Sequence, residues 1–170
     1  EVIKVERPGA GDEMRSYVPR LGDTSVNFAL LNRGKRSVAL DLKPPEGVAP
    51  ARELTGGADV LIEQFRPGVM DRLGLGYEQL KAAHPKLIYC SSSGWGQSGP
   101  LAHVAAHDLN FQAEAGLLGL AVGSDGVPGL PQALVGDIAG GAYPAMMNIL
   151  LALRTRDAGG TGCHLDIPMA

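Results

Sequence analysis

The sequence predicts an α/β fold, a Rossmann-like and mainly parallel sheet with helices on both faces. Three observations carry this. Apolar runs such as "VLI" (60–62) and "LIYC" (87–90) are continuous rather than alternating, as in strands covered on both sides. Strand-like and helix-like stretches alternate along the chain. Gly (24) and Pro (12) are plentiful, as expected where many short elements are joined by tight turns.

Each element follows from its own pattern. "EVIKVE" (1–6) alternates apolar and polar residues and reads as a strand with one buried face, broken by "RPGAGDE". Residues 13–32 are mixed and read mostly as loop. "RSVALDL" (36–42) is a second strand, stopped by "KPPEG", and residues 46–56 suit a helix that ends at Gly56 and Gly57. "ADVLIEQF" (58–65) is a third strand, ended by Pro67 and Gly68. Two short helical pieces, 69–73 and 77–84, precede the fourth strand, "KLIYCS" (86–91). A helix is expected over 107–121 and a longer one from Asp137 to about Arg156, with "CHLDIPM" (163–169) as the last strand.

The bulk numbers bound the function. A length of 170 residues suits a single domain, 1–170, with a core of its own. Hydrophobic residues make up 45%, which excludes a disordered chain. The net charge of −3 gives no footprint for nucleic acid or an anionic membrane. Cys90 and Cys163 lie far apart and read as free thiols of a reducing compartment. The most apolar segment, "AMMNILLAL" (145–153), is too short to span a bilayer and contains Asn148, so a cytoplasmic location is expected. The chain opens inside a strand and closes just after another, and it is expected to be a piece of a longer polypeptide.

In open parallel sheets, ligands sit beyond the carboxyl ends of the strands. That rule gives meaning to "SSGWGQSGP" (92–100), which follows the fourth strand and holds Trp95, the only Trp. It is either a loop whose aromatic caps the core or one wall of a ligand site. "RGKRS" (33–37) is either a solvated turn or a phosphate clamp. Arg7, Lys43, Arg66 and Arg72 also follow strands, which favours an anionic, nucleotide-like ligand. "LGLGY" (73–77) lacks the strand-to-helix setting of a phosphate loop, no G-x-S-x-G elbow is present, and the four His residues form no metal-binding motif.

Two stretches suggest proton chemistry. In "AHDLNF" (106–111), His107 and Asp108 begin a helix, where they serve either as caps or as reacting groups. In "VGDIAGG" (135–141), Asp137 opens a helix whose macrodipole favours the carboxylate. Gly136, Gly140 and Gly141 are expected to let a substrate approach the backbone, with amide N–H groups facing a developing oxyanion. A His and an Asp placed on either side of one carbon are able to exchange roles as acid and base.

Taken in order, "EVIKVERPG", "NRGKRSVALDLKPPEG", "ADVLIEQFRPGVMDRLGLGYEQL", "LIYCSSSGWGQSGP", "AHDLNF" and "LVGDIAGG" resemble the family III CoA transferases (CaiB/BaiF), nearest to the α-methylacyl-CoA racemase branch. The resemblance covers the whole chain but only the N-terminal half of such a protein. It implies a CoA-binding α/β domain over 1–170, truncated at both ends, and an interlocked homodimer at full length. It implies His107 and Asp137 as the catalytic pair for racemisation at C2 of a 2-methylacyl-CoA, without a metal or a cofactor beyond the CoA of the substrate. CoA or substrate contacts are implied for Arg7, Leu40, Asp41, Leu42, Lys43, Gln64, Phe65, Arg66 and Arg72. The same is implied for Ala106, His107, Asp108, Leu109, Asn110 and Phe111. The alternatives are CoA transfer between carboxylic acids through an Asp137 acyl intermediate and a CoA-binding domain without chemistry. Ala106 and Phe111 stand where the racemase motif has Gly and Tyr, so one substrate hydrogen bond is expected to be missing.

Overall fold

A computed structural model describes all of residues 1–170, which divide into two compact units, Glu1–Thr55 and Gly56–Ala170. In the first unit, β1 (Ile3–Glu6) is followed by a 3₁₀ turn at Glu13–Ser16, by the short strands β2 (Arg20–Leu21) and β3 (Thr24–Ser25), and by helix α1 (Val26–Asn32). Strand β4 (Arg36–Ala39) and helix α2 (Pro45–Gly56) complete it. β1 and β4 pair in parallel, Ile3 opposite Arg36 through Glu6 opposite Ala39, while β2 and β3 form an antiparallel hairpin.

The stretch 13–32, expected as loop, is therefore largely structured. Its elements are too short to show a period, and specific contacts hold them. The Ser25 hydroxyl caps α1 by accepting from the Phe28 N–H at 3.3 Å. Glu6 is buried and accepts from the Arg15 guanidinium at 2.8 and 2.7 Å, from the Ser37 hydroxyl at 2.7 Å and from the Asp12 N–H at 2.9 Å. Arg15 also lies 4.0 Å over the Phe28 ring. The Arg15 bond, with those of Ser37 and Asp12, holds the Glu6 carboxyl far below its ordinary pKa despite burial.

The second unit runs β5 (Val60–Glu63), α3 (Val69–Arg72), α4 (Tyr77–Leu80), β6 (Ile88–Ser93), α5 (Asp108–Glu114) and a 3₁₀ turn at Leu117–Leu120. A π-helix, Gly136–Ala142, leads directly into α6 (Tyr143–Asp157), and β7 (Cys163–Pro168) follows. The expected helix from Asp137 to Arg156 is thus two helices of different winding. The expected helix over 107–121 is α5 alone, followed by the 3₁₀ turn. β5, β6 and β7 form a parallel sheet with β6 in the middle. The parallel strands read from the sequence are present, in two separate sheets.

Strand pleating gives this sheet two different faces. Ile88 and Cys90 of β6, Val60 of β5 and Cys163, Leu165 and Ile167 of β7 meet Ala145, Ile149, Ala152 and Leu153 of α6. Both Cys residues are free thiols on this face. On the opposite face Leu61, Tyr89 and Leu87 pack with Met70, Tyr77 and Leu80 from the α3–α4 stretch. Tyr89 donates its hydroxyl hydrogen to the Leu75 carbonyl at 3.1 Å, and Tyr77 stacks on His164 with centroids 5.2 Å apart. Burying each large side chain here contributes about 1.5–3 kcal/mol, the sheet's main support.

Candidate active site

The carboxyl end of β6 is where three structural elements converge. His107 is the extended residue before α5, and its N–H donates to Asn110 Oδ1 at 3.0 Å. Asp108 opens the helix and is buried. Its Oδ1 accepts the backbone N–H of Asp137 at 2.8 Å, and its Oδ2 accepts from the Gln112 amide. Gln112 Nε2 also donates to the Ala133 carbonyl at 3.3 Å. The first residues of α5 are thereby tied to the start of the π-helix that carries Asp137.

Phe111 fills the space between these elements. A Cβ on Gly94 would stand 2.8 Å from its ring, and one on Gly136 would stand 3.0 Å from its Cβ. The Trp95 ring meets Phe111 edge-on with centroids 5.1 Å apart, and its indole N–H is buried without a partner. The loop containing Trp95 stands beyond the end of β6, where the sequence places it. The chain's last residues continue along that edge, with Met169 N–H donating to the Ser93 carbonyl at 3.0 Å and Ala170 N–H to the Gly94 carbonyl at 3.2 Å.

At the glycines of the π-helix the chain packs closely on itself. A Cβ on Gly140 would lie 2.3 Å from the Met169 carbonyl oxygen, and one on Gly141 would lie 3.0 Å from Met169 Cγ. Met169 makes the close approach at these two positions. Gly136 likewise admits Phe111 and Asp108. The π-helix is invisible to a 3.6-residue period, and such windings concentrate at functional sites.

Electrostatics single out Asp137. Its carboxyl is half-buried and its pKa lies above the ordinary aspartate value. Desolvation is the main cause, the Asp108 charge adds to it, and His107 opposes it. His107 is exposed and lies within electrostatic reach of Asp137. A carboxyl of raised pKa beside an imidazole is a pair suited to giving and taking protons.

The remaining site candidates are placed as follows. In the first unit Arg7 is exposed, donates to the Gly11 carbonyl at 2.9 Å and lies 3.6 Å from Glu13. Leu40, Asp41, Leu42 and Lys43 follow β4, and the Lys43 N–H donates to Asp41 Oδ1 at 3.0 Å. Lys35 donates to Asn32 and Arg36 to Glu1 on the exposed surface. In the second unit Gln64, Phe65 and Arg66 follow β5 and are exposed, with the Phe65 N–H donating to the buried Glu63 at 2.7 Å, and Arg72 ends α3. Ala106, Leu109 and Asn110 flank His107 and Asp108, with Leu109 and Asn110 exposed. Sequence reasoning missed Gln112, although its place four residues after Asp108 is a helical contact spacing.

Comparison with known proteins adds to this geometry. The profile of CoA-transferase family III matches residues 1–170. The chain is 46% identical to the acetyl-CoA:oxalate CoA-transferase of Acetobacter aceti, across 98% of this chain and 43% of that protein. It is 47% identical to the alpha-methylacyl-CoA racemase of Mus musculus, across 89% of this chain and 39% of that protein. A crystal structure of a CAIB/BAIF family protein from Brucella suis superposes with a TM-score of 0.89 at 38% identity, over 99% of this chain and 46% of that one. The chain thus spans less than half the length of each of these proteins.

Proposed function

Because the chain belongs to CoA-transferase family III, we propose that it carries the proton-transfer pair of a racemase acting on 2-methylacyl-CoA thioesters. The observation that carries this reading is the placement of His107 and Asp137 at the starts of two helices joined by the Asp108–Asp137 bond, with Asp137 within electrostatic reach of His107. A thioester acidifies its α-proton. One member of the pair takes that proton from C2, leaving a planar enolate, and the other returns a proton to the opposite face. Atoms balance without an oxidant or a second substrate. CoA itself enters as part of the substrate, with Arg7, Leu40–Lys43, Gln64–Arg66, Arg72 and the 106–111 segment as its proposed contacts. An interlocked homodimer and a cytoplasmic location belong to the same proposal. No helix of the chain is long and apolar enough to cross a membrane.

A second reading is supported by the transferase relative at 46% identity. There the Asp137 carboxylate attacks the thioester carbonyl and expels the CoA thiolate, leaving a mixed anhydride; the thiolate attacks the Asp137 carbonyl of that anhydride, which releases the donor acid and leaves an Asp137–CoA thioester. The acceptor carboxylate then attacks this thioester and expels the thiolate again, and the thiolate takes the acceptor's acyl group from the new anhydride, which frees Asp137 and yields the acceptor's CoA thioester. His107 separates the two readings. The full chain is incubated with one enantiomer of a 2-methylacyl-CoA in D₂O without acceptor acid, and NMR follows the α-proton. Exchange with loss of chirality, abolished in His107→Ala, is the expected result. An inert α-proton, with CoA moving once a free carboxylic acid is added, gives the site to the transferase.

A further inference from the structure

We infer that Asp108 is the positioning residue of this site: its buried carboxylate clamps the backbone of Asp137 to the helix that begins beside His107. The inference rests on the reading that Asp137 is the reacting carboxylate, whether as base or as nucleophile. Asp108 follows His107 directly in the chain, so its place and that of His107 are set by one short segment. Its Oδ1 takes the Asp137 N–H at 2.8 Å across 29 residues of chain. Its Oδ2 is held by Gln112, which is itself anchored to the Ala133 carbonyl, just before the π-helix. The residue is 7% exposed, so solvent competes little for either oxygen. Gly136 keeps the bond within reach, because a Cβ there would stand 3.2 Å from Asp108 Oδ1.

This arrangement gives Asp108 a task in addition to the CoA contact proposed for its segment. Both oxygens face protein amides, and amides leave the negative charge in place where a cation would cancel it. A charge fixed in a poorly solvated setting acts strongly on its neighbours. The neighbour here is Asp137, whose proton affinity Asp108 raises. One side chain therefore sets both where the reacting carboxylate sits and how tightly it holds a proton.

The experiment uses the full chain and either assay above, with kcat and kcat/KM measured across pH for Asp108→Asn, Asp108→Leu and Asp137→Asn, and thermal melts alongside. Asp108→Asn retains an acceptor oxygen for the Asp137 amide and loses the charge. Its acid limb of kcat/KM is expected to move down by about one pH unit. Asp108→Leu loses the clamp as well. Its kcat is expected to fall by about 100-fold while KM stays within about threefold, since small misplacements of a reacting group cost rate rather than binding. An unmoved acid limb in Asp108→Asn overturns the inference, and it decides the matter alone if Asp108→Leu does not fold. A kcat in Asp108→Leu that falls only with the folded fraction also overturns it. Full activity in Asp137→Asn defeats the underlying reading instead, whatever the Asp108 variants do.

Discussion

Gly140 and Met169 meet so closely that a Cβ on the glycine would stand 2.3 Å from the methionine's carbonyl oxygen. Backbone faces backbone there, and neither side has a flexible end that can yield. Gly140→Ala is expected to destabilise the chain by about 1–3 kcal/mol through forced backbone shifts. Gly119→Ala, at a position with open space and ordinary φ, is the control and is expected to be close to neutral. Urea denaturation of the two variants checks this.

Phe111 is the second packing prediction. It is 3% exposed and touches the space reserved by two glycines and the edge of Trp95. Phe111→Ala is expected to cost about 3–5 kcal/mol, because the backbone on either side is too fixed to collapse into the void. Trp95 is the only tryptophan, so its fluorescence reports the site directly. Emission is expected to shift to the red in Phe111→Ala before any global unfolding.

Acid stability should trace to Glu6. Its folded pKa is depressed below the unfolded value, so the folded state binds its proton less readily. The stabilisation is then complete above the ordinary glutamate range and is lost as pH falls below about 4.3. Wild type is expected to be more stable than Glu6→Gln at pH 7 and to lose that advantage on acidification. The relative slope approaches about 1.4 kcal/mol per pH unit, the limit for one proton. Denaturant midpoints of both proteins between neutral pH and pH 3 test the convergence.

Cys90 is expected to resist modification. Burial pushes its thiol up to about 11, with Glu63 and Asp166 adding to the effect. At pH 8 about one molecule in a thousand carries the thiolate there. Iodoacetamide labelling followed by mass spectrometry is expected to leave Cys90 unmodified in the native chain and to label it in denaturant. Rapid native labelling would contradict its placement between β6 and α6.

The strands that the sequence announced are those whose side chains alone make the case. "LIYC" is apolar without interruption because both faces of β6 are covered, whereas "VLI" has Val60 and Leu61 packed on opposite faces of β5 and Ile62 exposed. α1 was hidden because seven residues show barely two turns, and it depends on the Ser25 cap and on Phe28 beneath Arg15. The π-helix was hidden because its winding departs from the 3.6-residue period by which a helix is read from sequence. The site divides in the same way. His107 and Asp137 stand out as residue types in glycine-rich and helix-opening settings. The bond that joins Asp108 to Asp137 crosses 29 residues and exists only in three dimensions.

The order of the strands has a consequence for the chain's birth. β6 is the middle strand, and its Ile88 and Cys90 have no exposure at all. One of its neighbours, β5, precedes it off the ribosome, but the other, β7, is made only after α5, the π-helix and α6. Through the synthesis of α5, the π-helix and α6, β6 has a naked edge of unpaired amides and carbonyls, a template for any other extended chain. That interval is when a nascent chain most readily pairs with the wrong neighbour. Slow translation between Ser93 and Cys163 lengthens the interval, and a chaperone that shields the edge of β6 over that stretch shortens its effect.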